Sequence, residues 1–554
     1  MKIAILQQNF TVGDIEGNAR KIMAGYKEAC RRRAELVVFS ELAFFGYPPK
    51  DMLERIDYES LQHKYFIDMC QQIGDVGLIV GIVERNLAHG KPLFNAAVLV
   101  QNGKVLQRWH KTLLPTYDVF DETRYFQPGT ALPSAFEYKG KKLAMLVCED
   151  IWGGTEEHGK RLYERDPVEE LIIQQPDILI VINGSPYYWG KGNVRYKLVS
   201  EIASRIGCTV VYVNQVGGND DLVFDGRSFV ITKDGRCLGD TRPFFEALRI
   251  VDTDANLFSL SYPSDEDIGQ LHEALVVGIR DYVRKTGFDS IVVGLSGGID
   301  SAVTACLAVE ALGRDNVLGV SMPSKYSSPE SCGDAGALAE NLGIQFMIIS
   351  IRDIYETYAS ALEYGIGWNG AGECEGDVTE ENIQARIRGN ILMAITNRVG
   401  FKMRKFLLLT TGNKSETAMG YCTLYGDTAG GFAPLSDVYK TLVYRLAGYI
   451  NRSLEIIPES TIQKAPSAEL RPNQKDQDSL PPYEILDAIL QAHIEEQKSW
   501  EEIVKSGQDE KTVRWVLGRL NRNEFKRRQM PPGLKGTTKA FGSGRCWPIA
   551  AKFM

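Results

Sequence analysis

Ten cysteines are spread along the 554 residues, yet the sequence contains no C-x-x-C pair. Zinc sites and redox motifs need that close spacing, and disulfide frameworks need dense clustering, so neither is favoured. A reducing, cytoplasmic compartment fits such scattered thiols best. Also missing is any run approaching the ~20 apolar residues that span a bilayer. The opening Met1-Lys2-Ile3-Ala4-Ile5-Leu6 gives way at once to Gln7-Gln8-Asn9, too short for a signal peptide, and reads as a strand. There is no basic excess: 63 Lys and Arg stand against 71 Asp and Glu, a formal net charge of −8, which argues against a dedicated nucleic-acid binder. One local basic cluster, Lys526-Arg527-Arg528, reads on charge alone equally as a solvated helix end or a binding patch. No internal repeat is present. Residues 471–482 form one long polar, proline-containing stretch without periodicity, expected to be a mobile loop.

What is there is an ordinary globular composition, 44% hydrophobic and 24% charged, in a chain long enough for two large domains, each with its own core. In the first half, short β-branched runs at residues 2–6, 36–39, 78–83, 96–100, 143–147, 178–182, 209–213 and 228–232 alternate with helix-compatible segments. They predict strands buried in a layered α/β domain. Gln101-Asn102-Gly103-Lys104 and Lys233-Asp234-Gly235-Arg236 predict hairpins. A polar stretch with proline near residues 250–266 marks a boundary, giving domains over 1–255 and 271–554 with a linker over 256–270. The second half repeats strand, turn and helix, with strands expected at 290–295, 317–320, 346–350 and 406–410, the pattern of a doubly wound parallel sheet.

In the first half, three apolar runs end in a reactive side chain: Ser40-Glu41-Leu42, His110-Lys111-Thr112-Leu113-Leu114-Pro115 and Cys148-Glu149-Asp150-Ile151-Trp152. Each alone is more often a loop acid, a surface lysine or an inert core cysteine. Together they are what cysteine-based amide hydrolysis needs: a thiolate to attack, a carboxylate to move the proton, and a cation to lower the thiol pKa and hold the oxyanion. The three segments, in this order, resemble the nitrilase superfamily over residues 1–250. The resemblance implies an α-β-β-α sandwich. It makes Cys148 the nucleophile, Glu41 the general base and acid, Lys111 the oxyanion and thiolate stabiliser, and Glu122 a supporting carboxylate that orients the lysine. By similarity to glutaminase members, Tyr117, Ser185 and Lys191 line a glutamine pocket.

In the second half, the strand over 291–295 leads into Gly294-Leu295-Ser296-Gly297-Gly298-Ile299-Asp300-Ser301 and a helix-compatible segment. A glycine-rich turn opening a helix cradles phosphate with its N–H groups. It is not a Walker A loop, because no lysine follows the glycines. The string resembles the ATP pyrophosphatase loop, whose enzymes release AMP and pyrophosphate while activating a carbonyl group, on the adenine nucleotide alpha hydrolase-like fold. Further segments discriminate among such enzymes: Leu409-Thr410-Thr411-Gly412-Asn413-Lys414-Ser415-Glu416, Tyr425-Gly426-Asp427, Pro434-Leu435-Ser436-Asp437-Val438-Tyr439-Lys440, Lys464-Ala465-Pro466-Ser467-Ala468-Glu469-Leu470, residues 381–388 and Phe525-Lys526-Arg527-Arg528. These resemble the NAD+ synthetase family. The resemblance implies that residues 294–301, Thr411, Lys440 and Ser467 bind ATP, that Asp300 and Glu416 hold Mg2+, and that Arg388, Glu416 and Lys526 approach deamido-NAD+. Phe525 stands where the ammonia-only synthetases often have histidine, which argues against direct substrate contact by that side chain.

The implied reaction is the amidation of deamido-NAD+ to NAD+, with ammonia taken from L-glutamine and ATP split to AMP and pyrophosphate. The fusion of two sites further implies an enclosed passage for ammonia and a homo-oligomer. ATP is a co-substrate and no organic prosthetic group is implied; neither nucleic acid nor membrane is an expected partner. The alternatives are an amidotransferase of the same loop class acting on another acceptor, and a nitrilase-like amidase whose second domain only regulates.

Overall fold

The computed structural model describes residues 1–157, 160–255, 267–366, 377–398 and 404–552. It divides into two compact units, Met1–Glu266 and Asp267–Met554.

The first unit is built on two six-stranded sheets. In the first sheet the strands run in the order Ala247–Asp252, Lys2–Gln7, Leu36–Val38, Gly77–Arg85, Leu93–Gln101 and Lys104–His110. The three strands Lys2–Gln7, Leu36–Val38 and Gly77–Arg85 are parallel, and antiparallel strands flank them. The second sheet repeats this plan with Cys237–Asp240, Phe229–Ile231, Thr209–Asn214, Ile178–Asn183, Lys141–Val147 and Phe136–Tyr138. Alternate side chains of both sheets, Ile3, Val38, Ile79 and Leu99 from one with Leu143, Ile180 and Val211 from the other, share one core. A strand buried on both faces must be continuously apolar, which is why these runs stood out in sequence. Helix Ile15–Arg31 packs on the outer face of the first sheet. Helices Pro167–Ile172 and Lys191–Ile206 join the core of the second. The layering is the α-β-β-α sandwich that the resemblance implied. Both expected hairpins form, Leu93–Gln101 with Lys104–His110 and Phe229–Ile231 with Cys237–Asp240.

The second unit has a four-stranded, all-parallel sheet in the order Gln345–Ile348, Val317–Ser321, Ser290–Gly294 and Phe406–Leu409. Helix Ile299–Leu312 follows strand Ser290–Gly294, Pro329–Leu342 follows Val317–Ser321, Arg352–Ile366 follows Gln345–Ile348 and Lys414–Met419 follows Phe406–Leu409, so the carboxyl ends of the strands face a row of helix N-termini. A further cluster of Leu486, Ile489, Val513, Val516 and Leu520 forms a helical core beside it.

Two expectations need correction. The linker placed at 256–270 lies outside the described residues as far as 266, but its last residues begin helix Ile268–Lys285, because the Asp267 side chain caps Gly269 N–H at 3.1 Å. The stretch 471–482 is not a free loop. Gln474, Asp476 and Leu480 are buried within it, and Asp476 accepts from Tyr483 Oη at 2.7 Å while its own N–H donates to Pro466 O at 3.0 Å. Aperiodic sequence hides such polar anchors. No helix among the described residues is long and apolar enough to cross a membrane.

Candidate functional site

In the first unit the reactive side chains come from strand ends of both sheets. Glu41 lies just past Leu36–Val38, and Lys111 directly follows Lys104–His110. Cys148 opens the short turn Cys148–Trp152 after Lys141–Val147 and adopts a left-handed backbone, φ 42°. Beneath Glu41, Gly81 is required by close approach: a Cβ there would fall 2.2 Å from Leu42 N.

These groups form one buried network. Lys111 Nζ donates to Glu41 Oε1 and Glu122 Oε1, both at 2.7 Å. Asn95 Nδ2 donates to Glu41 Oε1 at 2.6 Å, and Gly184 N–H to Glu41 Oε2 at 2.7 Å. Tyr47 Oη donates to Glu122 Oε1 at 2.7 Å. The lysine and Glu41 side chains are fully buried. Burial opposes the charge on Lys111, but the carboxylates of Glu122 and Glu41 outweigh it and hold its pKa well above the ordinary value. Burial pushes Glu122 up to about 7, with the Lys111 ammonium opposing. Burial, reinforced by the Glu41 carboxylate, holds the Cys148 thiol well above its usual range; Lys111 acts in the opposite direction and does not prevail. The lysine was expected to lower the thiol pKa. It does so, but burial and the Glu41 carboxylate prevail, so the thiol proton must leave to a base during attack.

Of the three expected pocket residues, Tyr117 is hydrogen-bonded to the Glu149 carboxylate and Lys191 bears on it electrostatically. Glu149 is buried and accepts from Tyr117 Oη at 3.0 Å and Tyr163 Oη at 2.8 Å. Burial raises its pKa, and Lys111 and Lys191 are among the groups that oppose this. Lys191 begins helix Lys191–Ile206 with its ammonium over the Tyr188 ring. Ser185 is fixed through its backbone: its N–H donates to Asn214 Oδ1 at 2.9 Å.

The second site lies at the carboxyl ends of the parallel strands. After Ser290–Gly294 the chain turns through Ser296-Gly297-Gly298 into helix Ile299–Leu312. Ser296 Oγ accepts from Gly298 N–H at 3.2 Å, and Ser301 Oγ donates to Gly298 O at 2.9 Å. Gly297 has φ 80° and packs its Cα on the backbone of Ser331. Asp300 and Glu416 converge on one cation: Lys440 Nζ donates to Asp300 Oδ2 at 2.5 Å and Glu416 Oε1 at 3.0 Å. The ammonium also lies 5.3 Å from the Tyr483 ring centroid. Burial pushes Glu416 up to about 7, with Lys440 opposing and Asp300 adding. Lys440 stays charged because Asp300 and Glu416 outweigh the burial that opposes it. Both carboxylates are hard oxygen donors of the kind Mg2+ prefers, and here both are engaged by the Lys440 ammonium.

The remaining expected residues have partners of their own. Ser467 Oγ accepts from Glu469 N–H at 3.1 Å, and the Glu469 carboxylate accepts from Ser328 and Ser331 at the start of helix Pro329–Leu342. Thr411 follows strand Phe406–Leu409 and is half-buried. Arg388 donates to Met322 O at 3.0 Å, and burial brings it down to about 10. Lys526 Nζ donates to Gly420 O and Cys422 O, each at 2.8 Å. Its neighbour Arg527 is no solvated helix end: it is buried on Glu524 and on the carbonyls of Thr417 and Ala418. Phe525 is 43% exposed.

Asn413 links the two acidic residues. Its Nδ2 donates to Asp300 Oδ1 at 2.9 Å and its Oδ1 accepts from Glu416 N–H at 3.0 Å, so it caps helix Lys414–Met419 and ties both acids together. An asparagine just before a helix is a readable cap; its second bond is not readable.

A buried glutamate–lysine network with a cysteine on a two-sheet sandwich, and a glycine-rich loop opening a helix on a parallel sheet, fit a carbon-nitrogen hydrolase joined to an NAD synthase. The carbon-nitrogen hydrolase family pattern matches residues 2–260, and that of NAD synthase matches residues 271–531. The chain is 44% identical to a glutamine-dependent NAD(+) synthetase of Synechocystis sp., covering 100% of this chain and 99% of the relative. It is 41% identical to that of Thermotoga maritima, with coverages of 100% and 99%. The chain belongs to the glutamine-dependent NAD+ synthetase family. Among solved structures, the Acinetobacter baumannii glutamine-dependent NAD+ synthetase in complex with ADP superposes with a TM-score of 0.77 at 39% identity, covering 99% of this chain and 98% of that one. A Cytophaga hutchinsonii synthetase at 22% identity shares the fold, TM-score 0.81, with coverages of 100% and 98%.

Proposed function

We propose that the chain amidates deamido-NAD+ to NAD+ with ammonia drawn from L-glutamine, converting ATP to AMP and pyrophosphate and leaving L-glutamate. The observation that supports this most is that each unit gathers a full set of side chains for one half of the reaction. In the first, Glu41 takes the proton from Cys148 Sγ as the sulfur attacks the glutamine carboxamide carbon. The Lys111 ammonium lies where oxyanion charge develops. Glu41 returns the proton to the departing nitrogen, the C–N bond breaks, and ammonia leaves a thioester. Water, deprotonated by Glu41, then hydrolyses that thioester to glutamate. Glu122 holds Lys111, while Tyr117, Ser185 and Lys191 bind the amino-acid end of glutamine; Glu149 supplies a negative charge for its α-ammonium.

In the second unit, one carboxylate oxygen of deamido-NAD+ attacks the α-phosphorus of ATP and pyrophosphate leaves. The loop 294–301 receives the pyrophosphate with N–H groups and a helix N-terminus, assisted by Thr411, Lys440 and Ser467. Ammonia then attacks the activated carbonyl carbon, and AMP leaves with the C–O bond electrons. Asp300 and Glu416 would hold Mg2+, which neutralises phosphate charge. Arg388, Glu416 and Lys526 face deamido-NAD+. A cytoplasmic homo-oligomer completes the reading, and a concentration-independent monomer mass by light scattering with coupled activity intact would remove its assembly part.

Cys148→Ala tests the division of labour. Glutamine-dependent NAD+ formation should vanish while added ammonium still supports it. A folded Cys148→Ala protein that hydrolyses glutamine near the parent rate overturns the nucleophile.

A further inference from the structure

The nucleophile and the lysine that serves it stand on different sheets, Cys148 at the end of a second-sheet strand and Lys111 at the end of a first-sheet strand. Hydrophobic contact between sheets is tolerant of sliding, because it has no direction. Oxyanion stabilisation is not tolerant, since a donor displaced by an ångström no longer meets the developing charge. A directional link between the layers is therefore needed close to the reacting atoms.

Asp150 supplies one. Its side chain is fully buried, and its two oxygens accept from four donors. Oδ1 takes the N–H groups of Thr112 and Leu113, each at 2.9 Å. Oδ2 takes the Trp109 indole N–H at 2.7 Å and the Val147 N–H at 3.1 Å. Trp109 and Thr112 bracket Lys111 closely on either side, and Val147 is the residue before Cys148. One carboxylate thus grips the chain on both sides of the lysine and the strand end that carries the thiol. Such a group is acceptable in an apolar interior only because its lone-pair sites are filled. Burial pushes its carboxyl up to about 6, with the Trp109 bond the foremost of those opposing, so it remains ionised at neutral pH.

We propose that Asp150 is a positioning residue for glutamine hydrolysis, fixing the Lys111 ammonium against the Cys148 sulfur across the two sheets. It touches neither substrate nor the reacting atoms. The inference rests on the roles given to Cys148 and Lys111 above.

Asp150→Asn keeps the volume but turns one acceptor oxygen into an amide that points hydrogens at donors. Its expected signature is a glutamine kcat lowered by roughly 10- to 100-fold with KM changed far less, since a misplaced catalytic group costs rate rather than binding. The pH profile of Cys148 alkylation by iodoacetamide should shift, because the lysine charge no longer bears on the sulfur from the same place. Ammonia-dependent NAD+ formation, which does not use this unit, should be unchanged. Trp109→Phe, which deletes one of the four donors and keeps an aromatic ring, should move the same quantities in the same direction by several-fold. It carries the test if Asp150→Asn fails to fold. A folded Asp150→Asn, or failing that a folded Trp109→Phe, with parental kcat and an unshifted alkylation profile overturns the proposal. The parent reading fails separately, if Cys148→Ala retains glutamine hydrolysis.

Discussion

Gly297→Ala puts the phosphate loop to a quantitative test. The glycine has φ 80°, and a Cβ placed on it would lie 2.2 Å from Ser331 O and 2.8 Å from both Ser331 C and Cα. Carbon and carbonyl oxygen settle at about 3.3 Å or more, so relief requires roughly 1 Å of movement. The obstacle is backbone and no side-chain rotation removes it. Left-handed geometry adds about 1–2 kcal/mol for a residue bearing a Cβ. An ångström of displacement in a loop that aligns a triphosphate is worth about a hundredfold in rate. Gly287→Ala is the matched control, since Gly287 has φ 82° and open space around its Cβ position. The assay follows ammonia-dependent NAD+ formation against ATP concentration, with glutamate release from glutamine measured alongside. Gly297→Ala should lose about two orders of magnitude in kcat/KM for ATP and keep glutamine hydrolysis, whereas Gly287→Ala should lose only stability. An ammonia-dependent kcat/KM within about threefold of the parent for Gly297→Ala would refute the geometric argument.

Asp300→Asn should abolish NAD+ formation with glutamine or ammonium, because the amide carries no charge and can keep only one of the two bonds that Asp300 accepts, from Lys440 and Asn413; near-normal ammonia-dependent turnover would remove Asp300 from its role. Burial raises Glu122 from 4.5 to about 7, so the folded state favours its protonated form, and the associated stability is present at low pH and lost as pH rises through 7. Glutamine does not titrate, so the stability of Glu122→Gln relative to the parent should rise as pH rises from 5 to 8. Urea melts showing the opposite trend with pH would contradict the sign. Arg527→Ala should destabilise the protein by about 1–3 kcal/mol, because the buried Glu524 carboxylate loses one partner while Arg545 still donates to it at 2.8 Å, and the Thr417 and Ala418 carbonyls each lose a donor; a urea midpoint within error of the parent would show that arginine to be superfluous.

Much of the fold was legible because burial writes itself into sequence. Runs such as 143–147 and 178–182 are apolar at every position, since their strands are covered on both faces. The glycine-rich turn before Ile299–Leu312 was legible because few sequences combine that spacing with a strand and a helix. Polar anchors were not. Nothing local shows that Asp476 reaches Tyr483, that Arg527 is an interior residue, or that Asp150 spans two sheets, because each depends on partners that folding alone brings near. The net direction of the Cys148 thiol was not legible for a related reason. Sequence placed a cation beside the thiol, and it does lower the pKa, but the burial and the Glu41 carboxylate that outweigh it come only with the fold.

Cys148 sits at φ 42°, a shape that costs a residue with a Cβ about 1–2 kcal/mol. Alanine at this position would inherit the strain, whereas glycine would release it and return part of the gain through the greater freedom of its unfolded chain. The pressures on this position therefore oppose each other: thermal tolerance favours relaxing the turn, and use of glutamine favours keeping it bent. In a lineage supplied with abundant ammonia, only the first pressure would act. The nucleophile would then be among the earliest parts of the first unit to drift, and its sandwich could persist long after its chemistry had gone.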